Sequence, residues 1–205
     1  MGINYLFEFG AVKTSLIEVI AVIFGLASVW SMKKESILAF PFGIINVLGY
    51  VYLSFSKQLY ALSVINLFFA MMSVYGWYNW SRDRGNENEV VISRCSGREY
   101  IWNILAIIIF YFIIRMVLQK YTDSPVPGWD AFTTSLYIIA MWLLARKKIE
   151  NWITWIIGDI ISIFLYAIPF NNNEPNYFSS FQFLVFTIIA VFGFIEWRRK
   201  LITSH

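Results

Sequence analysis

Cysteine and histidine are nearly missing from this chain of 205 residues: each occurs once, as Cys95 and His205. A single cysteine excludes an internal disulfide, and in a polar loop it reads as an incidental reduced thiol. A single histidine at position 205 excludes a histidine-based triad or a histidine zinc site in the apolar part of the chain. Charge is scarce as well, at 14% of residues with a net charge of +3. The basic residues lie in short clusters between apolar runs, which is no nucleic-acid footprint. The opening stretch, MGINYLFEFGAVK, has no basic n-region and no small-residue cleavage site, so it reads as a short interfacial stretch and not as a signal peptide.

What is present is overwhelmingly apolar. Hydrophobic residues make up 59% and the mean hydropathy is +0.61, a composition foreign to a soluble domain. Runs of about 18 or more apolar residues read as membrane spans. Seven are expected, at about 16–32, 37–55, 59–80, 100–118, 131–145, 150–170 and 177–197. The fold class is therefore an all-α membrane protein, a single bundle of seven transmembrane helices. Pro41 falls in the first turns of the second span, where proline is tolerated. Pro125, Pro127 and Gly128 mark the loop before the fifth. Most aromatics, 20% of the chain, lie near span ends and suit interfacial belts.

Basic residues follow spans one, three, five and seven: Lys33 and Lys34; Arg82, Arg84, Arg94 and Arg98; Arg146 to Lys148; Arg198 to Lys200. The alternate loops hold little beyond Lys57 and Lys120. The positive-inside rule then predicts an outside N-terminus and a cytoplasmic C-terminus.

The sixth span, ENWITWIIGDIISIFLYAIPF, is unusual because it carries an acid. Trp152, Trp155 and Asp159 stand at i, i+3 and i+7, on one helix face. A carboxylate at mid-bilayer depth costs about 2.5–3.5 kcal/mol on insertion scales and usually serves a site or a watered cavity. The chain also matches itself. YGWYNW at 75–80 resembles FGFIEWRR at 192–199, and KQLYALS at 57–63 resembles EPNYFSS at 174–180. Carried back, the match sets Lys34 opposite Lys147, Ala39 opposite Trp152, Phe42 opposite Trp155 and Asn46 opposite Asp159. Repeat one then covers about 14–81, a linker loop and helix about 82–127, and repeat two about 128–200. Three helices, one return helix and three more give parallel repeats, whose substrate site is expected near the midplane. Asn46 and Asp159 each lie about nine residues, or roughly 13 Å, from the cytoplasmic end of their span.

FGIINVLGYVYL at 42–53, YGWYNWS at 75–81 and above all ENWITWIIGDIIS at 150–162 resemble the PnuC vitamin transporters, whose 3+1+3 layout is shared with SWEET sugar transporters. The resemblance runs from Glu18 to Arg199 and includes the WxxW pattern as Trp152 and Trp155. It implies facilitated uptake of nicotinamide riboside across the bacterial inner membrane, a homotrimer, and a cytoplasmic kinase that traps the small cationic vitamin. No cofactor and no enzymatic activity are implied. Thiamine is the alternative substrate within the fold. A non-transporting membrane receptor or assembly subunit is the alternative from another class.

Each candidate residue has a plainer reading beside the functional one. Trp152 and Trp155 suit an aromatic wall for a cationic ring, or an interfacial belt. Asp159 suits charge neutralisation or a ribose hydroxyl, or a hydrogen bond between helices. Asn46, with Phe42 one turn before it, suits substrate contact or helix–helix bonding. Asn66 and Gln182 lie a turn or two from the outer ends of spans three and seven. Glu18, Arg115 and Asp130 are expected in interfacial ion pairs near the outer face. Gly158-Asp159 resembles part of an intramembrane aspartyl protease motif, but the second intramembrane aspartate is missing. A retinal protein needs a lysine inside a late span, and span seven has none before Lys200.

Overall fold

The computed structural model describes residues 5–9, 12–56, 60–82, 91–168 and 177–203. His205, the loop at 171–176 and positions 83–90 of the polar loop lie outside the described residues. Among the described residues the chain forms seven helices: α1 (Leu16–Lys33), α2 (Ala39–Ser56), α3 (Tyr60–Ser81), α4 (Gly97–Tyr121), α5 (Pro127–Ala145), α6 (Glu150–Ala167) and α7 (Tyr177–Thr203). The seven expected spans map onto them in order. α1, α2 and α4, and α7 over Ser179–Thr203, are long and apolar enough by themselves to cross a bilayer. The opening stretch is more regular than expected. It pairs as an antiparallel hairpin of β1 (Tyr5–Phe9) and β2 (Val12–Ser15), with Glu8 opposite Lys13. The β-branched and aromatic residues Tyr5, Phe7, Phe9, Val12 and Thr14 are ones that favour strands.

The helix starts are written locally. The Ser15 hydroxyl accepts from the Glu18 N–H at 3.2 Å and caps α1. Ser96 and Glu99 form a reciprocal capping box on α4. Pro127 opens α5, where its missing N–H costs nothing.

The helices fall into two compact units, Met1–Ser81 and Arg82–His205. In the first, α2 packs on α1 and α3. In the second, α4 packs on α5, α5 on α6, and α6 on α7. The expected linker helix α4 thus belongs to the second unit.

Both units turn the same corner. After α1, Ser36 N–H bonds to Ser31 O and Glu35 N–H to Met32 O, with Glu35 at φ 54°. After α5, Lys148 N–H bonds to Leu143 O and Lys147 N–H to Leu144 O, with Lys147 at φ 50°. Each is a Schellman end, which satisfies carbonyls left over by the helix. The next helices then open alike, Ala39 N–H on Ser36 O and Asn151 N–H on Lys148 O.

This corner corrects the expected match by one residue. Lys147 corresponds to Glu35, not Lys34, and Trp152 to Phe40, not Ala39. The rings agree. Phe40 meets Trp80 edge-on at 4.9 Å and 88°, and Trp152 meets Trp197 edge-on at 5.5 Å and 89°. Both large side chains are buried, and each lies on a glycine of the last helix of its unit, α3 or α7. A Cβ on Gly76 would run into the Phe40 ring, and one on Gly193 would stand 2.7 Å from Trp152. Gly193→Ala should therefore destabilise the second unit by about 1–3 kcal/mol, the usual cost of overpacking. Thermal unfolding in detergent checks this, and a Gly193→Ala protein as stable as the parent would contradict the packing.

Candidate substrate-binding site

Residues of α5, α6 and α7 converge inside the second unit. Tyr137 of α5 stacks on Trp155 of α6, with centroids 5.1 Å apart and planes at 27°. It also lies parallel to Phe183 of α7, at 6.5 Å and 1°. Tyr166 continues the series, 5.5 Å from Phe183 at 15°. Four near-parallel rings thus span three helices.

The acid stands at the polar end of this stack. The Tyr137 hydroxyl donates to Asp159 Oδ1 at 3.1 Å, and Ser162 Oγ lies 2.9 Å from the same hydroxyl. With the tyrosine proton given to the carboxylate, Ser162 donates to the tyrosine oxygen. Asp159 and Ser162 are each 3% exposed, whereas Trp155 is only half-buried. Gly158 makes the approach possible, because a Cβ there would stand 2.5 Å from Tyr137 Cε1. The chemistry on offer is a flat aromatic surface beside a buried carboxylate.

The predicted residues divide accordingly. Trp155 and Asp159 come together through Tyr137. Trp152 does not join them, since it is 1% exposed and packed on Gly193 and Trp197. Gln182 is half-buried on α7, one residue before Phe183. The remaining candidates lie in the first unit. Asn46 donates through Nδ2 to Ala21 O of α1 at 2.7 Å. Phe42 meets Phe24 edge-on at 5.7 Å. Asn66 donates to Leu62 O in its own helix at 2.9 Å. Two of the residues expected in ion pairs have hydrogen bonds to near neighbours in the chain. Arg115 donates to the Tyr111 hydroxyl at 3.0 Å, and Asp130 accepts from Ser124.

The corrected register alters the meaning of the repeat. Trp155, Gly158 and Asp159 correspond to Gly43, Asn46 and Val47. The glycine and its bulky partner have changed helices between the units. Gly25 of α1 faces Asn46 of α2, where a Cβ would stand 2.6 Å from Nδ2; Tyr137 of α5 faces Gly158 of α6. At the place of Trp155, a Cβ on Gly43 would already meet Ser28 Oγ at 3.0 Å. The first unit has no room there for an indole. Asn46 and Asp159 are thus not the matching polar pair expected.

Sequence reasoning missed Tyr137, Ser162, Phe183 and Tyr166. Ser162 carried a usable signal, one turn beyond Asp159 on its face. Tyr137 carried a weaker one, as a phenol in the middle of a span.

The fold and the geometry define a multi-pass helical membrane protein whose interior acid is set into an aromatic stack. The model of the family described as nicotinamide mononucleotide transporter matches residues 15–199, and the chain belongs to that family. The nicotinamide riboside transporter PnuC of Escherichia coli (strain K12) is 29% identical over 92% of this chain and 87% of its own. The riboflavin/roseoflavin transporter RibM of Streptomyces davaonensis is 24% identical over 62% of this chain and 58% of its own. The crystal structure of the vitamin B3 transporter PnuC has the same fold, with a TM-score of 0.70 at 22% identity over 92% of this chain and 83% of that one. Seven helices in a 3+1+3 order agree with it.

Proposed function

We propose that this transporter carries nicotinamide riboside across the bacterial inner membrane by facilitated diffusion, holding its pyridinium ring against Trp155, Tyr137 and Phe183 beside Asp159. The observation that carries the reading is the buried carboxylate within reach of a half-buried aromatic face. A buried charge needs compensation. Tyr137 supplies a hydrogen bond, and a cationic ring supplies the opposite charge. The name of the Escherichia coli relative points to the same substrate.

Reconstitution into liposomes tests the class. Riboside flux that saturates and needs no ion gradient is the expected result, and absence of flux would defeat it. Calorimetry tests the substrate: binding of the riboside in preference to thiamine or riboflavin supports it, and the reverse order overturns it. Trp155→Ala should weaken riboside binding about tenfold, in line with an indole–cation attraction of roughly 0.5–2 kcal/mol. Unchanged affinity would return Trp155 to packing.

The outside N-terminus, the homotrimer and the trapping kinase belong to this proposal too. Protease access to an N-terminal tag from the outer side reads the first. Mass photometry reads the second. Loss of riboside accumulation in cells without riboside kinase activity reads the third.

A further inference from the structure

The segment before α4 is bound to the start of α6 in a way the transport site does not use. Ser93 N–H bonds to Lys147 O at 3.1 Å, and Ile149 N–H bonds to Ser93 O at 3.0 Å. Two residues on, the Glu150 carboxylate closes the junction. Its Oε2 accepts from Cys95 N–H at 3.1 Å, and its Oε1 accepts from the Tyr100 hydroxyl at 2.6 Å. Glu150 is 8% exposed. The Cys95 side chain is packed with Ile139 and Leu143 of α5, against Ala106, Ile107 and Phe110 of α4. On the outer edge, Glu99 pairs with Arg146 at 2.9 Å and Lys148 at 3.1 Å.

The first unit turns the same corner with different chemistry. Its counterpart of Glu150 is Leu38, which is 52% exposed. The corner alone therefore does not need an acid. What distinguishes the second unit is that its following helix carries Trp155 and Asp159, five and nine residues beyond Glu150.

We propose that residues 91–96 form a strap that fixes the first turn of α6, with Glu150 as the positioning residue for Trp155 and Asp159. The inference rests on the site assigned above, but the strap can be read without substrate. α4, the corner and α6 move as one body, and the ring stack is carried by a helix whose start is held. Burial, with the Glu150 charge beside it, pushes the Cys95 thiol up to about 12, so the held state contains little reactive thiolate.

Cys95 is the sole cysteine, so maleimide labelling reports this junction with no engineered background. The test uses the full-length protein in detergent, with Glu150→Leu, which installs the residue of the first unit, and Glu150→Gln. A glutamine oxygen can accept from one of the two donors at best. Labelling should be slow in the parent, about tenfold faster in Glu150→Leu, and intermediate in Glu150→Gln, as expected for loss of hydrogen bonds to a buried carboxylate. Position is read in the same samples by fluorine NMR of 5-fluorotryptophan protein, with the Trp155 resonance assigned through Trp155→Phe. In folded Glu150→Leu that resonance should shift or broaden, and riboside affinity should fall about tenfold. Slow labelling in Glu150→Leu would overturn the strap. Fast labelling with an unmoved Trp155 resonance would overturn the positioning role, leaving Glu150 a stabilising residue only. A parent protein that labels slowly but does not bind the riboside would defeat the substrate reading, while labelling and NMR would still decide the strap.

Discussion

Asp159→Ala should lower riboside affinity by about 100-fold or more, the largest effect expected of any single change in the site. Removing one partner of a buried, hydrogen-bonded charge pair typically costs about 2–5 kcal/mol. Asp159 is 3% exposed and accepts from Tyr137, so both the charge and the orientation of the phenol are lost together. The alanine protein should nevertheless insert and fold, because deleting a buried acid removes its burial cost as well. Calorimetry on monodisperse protein is the measurement. A folded Asp159→Ala protein that binds with parental affinity would reassign the acid to helix–helix bonding. Asp159→Asn separates the two parts of the effect. It keeps an acceptor for Tyr137 and removes the charge, so it should retain the ring stack and still lose the cation.

Gly158→Ala should come close to it with a single methyl group. The new Cβ would stand 2.5 Å from Tyr137 Cε1 and 3.1 Å from Cδ1 and Cζ. The ring has little freedom to retreat, since it stacks on Trp155 and faces Phe183. Displacing it separates the hydroxyl from Asp159 and tilts the surface offered to a ligand. Misplacement of a positioned group by about 1 Å can cost a factor near 100. Flux into liposomes should therefore fall by about that factor, with a smaller loss of thermal stability. Tyr137→Phe is the informative companion, because it keeps the ring and deletes only the hydroxyl. Parental flux in Gly158→Ala would mean that the ring tolerates the methyl and that the phenol's place is not critical.

Much of the fold was legible because membrane helices advertise themselves. Apolar length gave the seven elements, and the acid in the sixth identified the helix that matters. The WxxW spacing marked both indoles but could not tell them apart. Trp152 and Trp155 are three residues apart and share a face in projection. Contact with α7 decides their roles, and that depends on Gly193. The matching of the repeats was off by one for a different reason. The corner is set by a residue in the left-handed region, usually glycine. Here the residues are Glu35 and Lys147, neither of which announces a positive φ. A match carried back from 57–63 and 174–180 has nothing to anchor it at the corner, and so it misplaces Asn46. Tyr137 stayed hidden because a phenol inside an apolar run looks like any other aromatic until its hydroxyl finds Asp159.

The two corners also bear on how such a protein can diversify. Their geometry is held by main-chain hydrogen bonds, so it survives almost any change in the side chains around it. A duplicated half could thus keep its frame while its interior was rewritten. The exchange of bulk between Gly25 with Asn46 and Tyr137 with Gly158 is such a rewriting: the large side chain is supplied from the opposite wall. One half sets a glycine against an asparagine, and the other sets a tyrosine against a glycine. New specificities within this family are then expected to arise by changing the lining side chains, with the two corners left as they are.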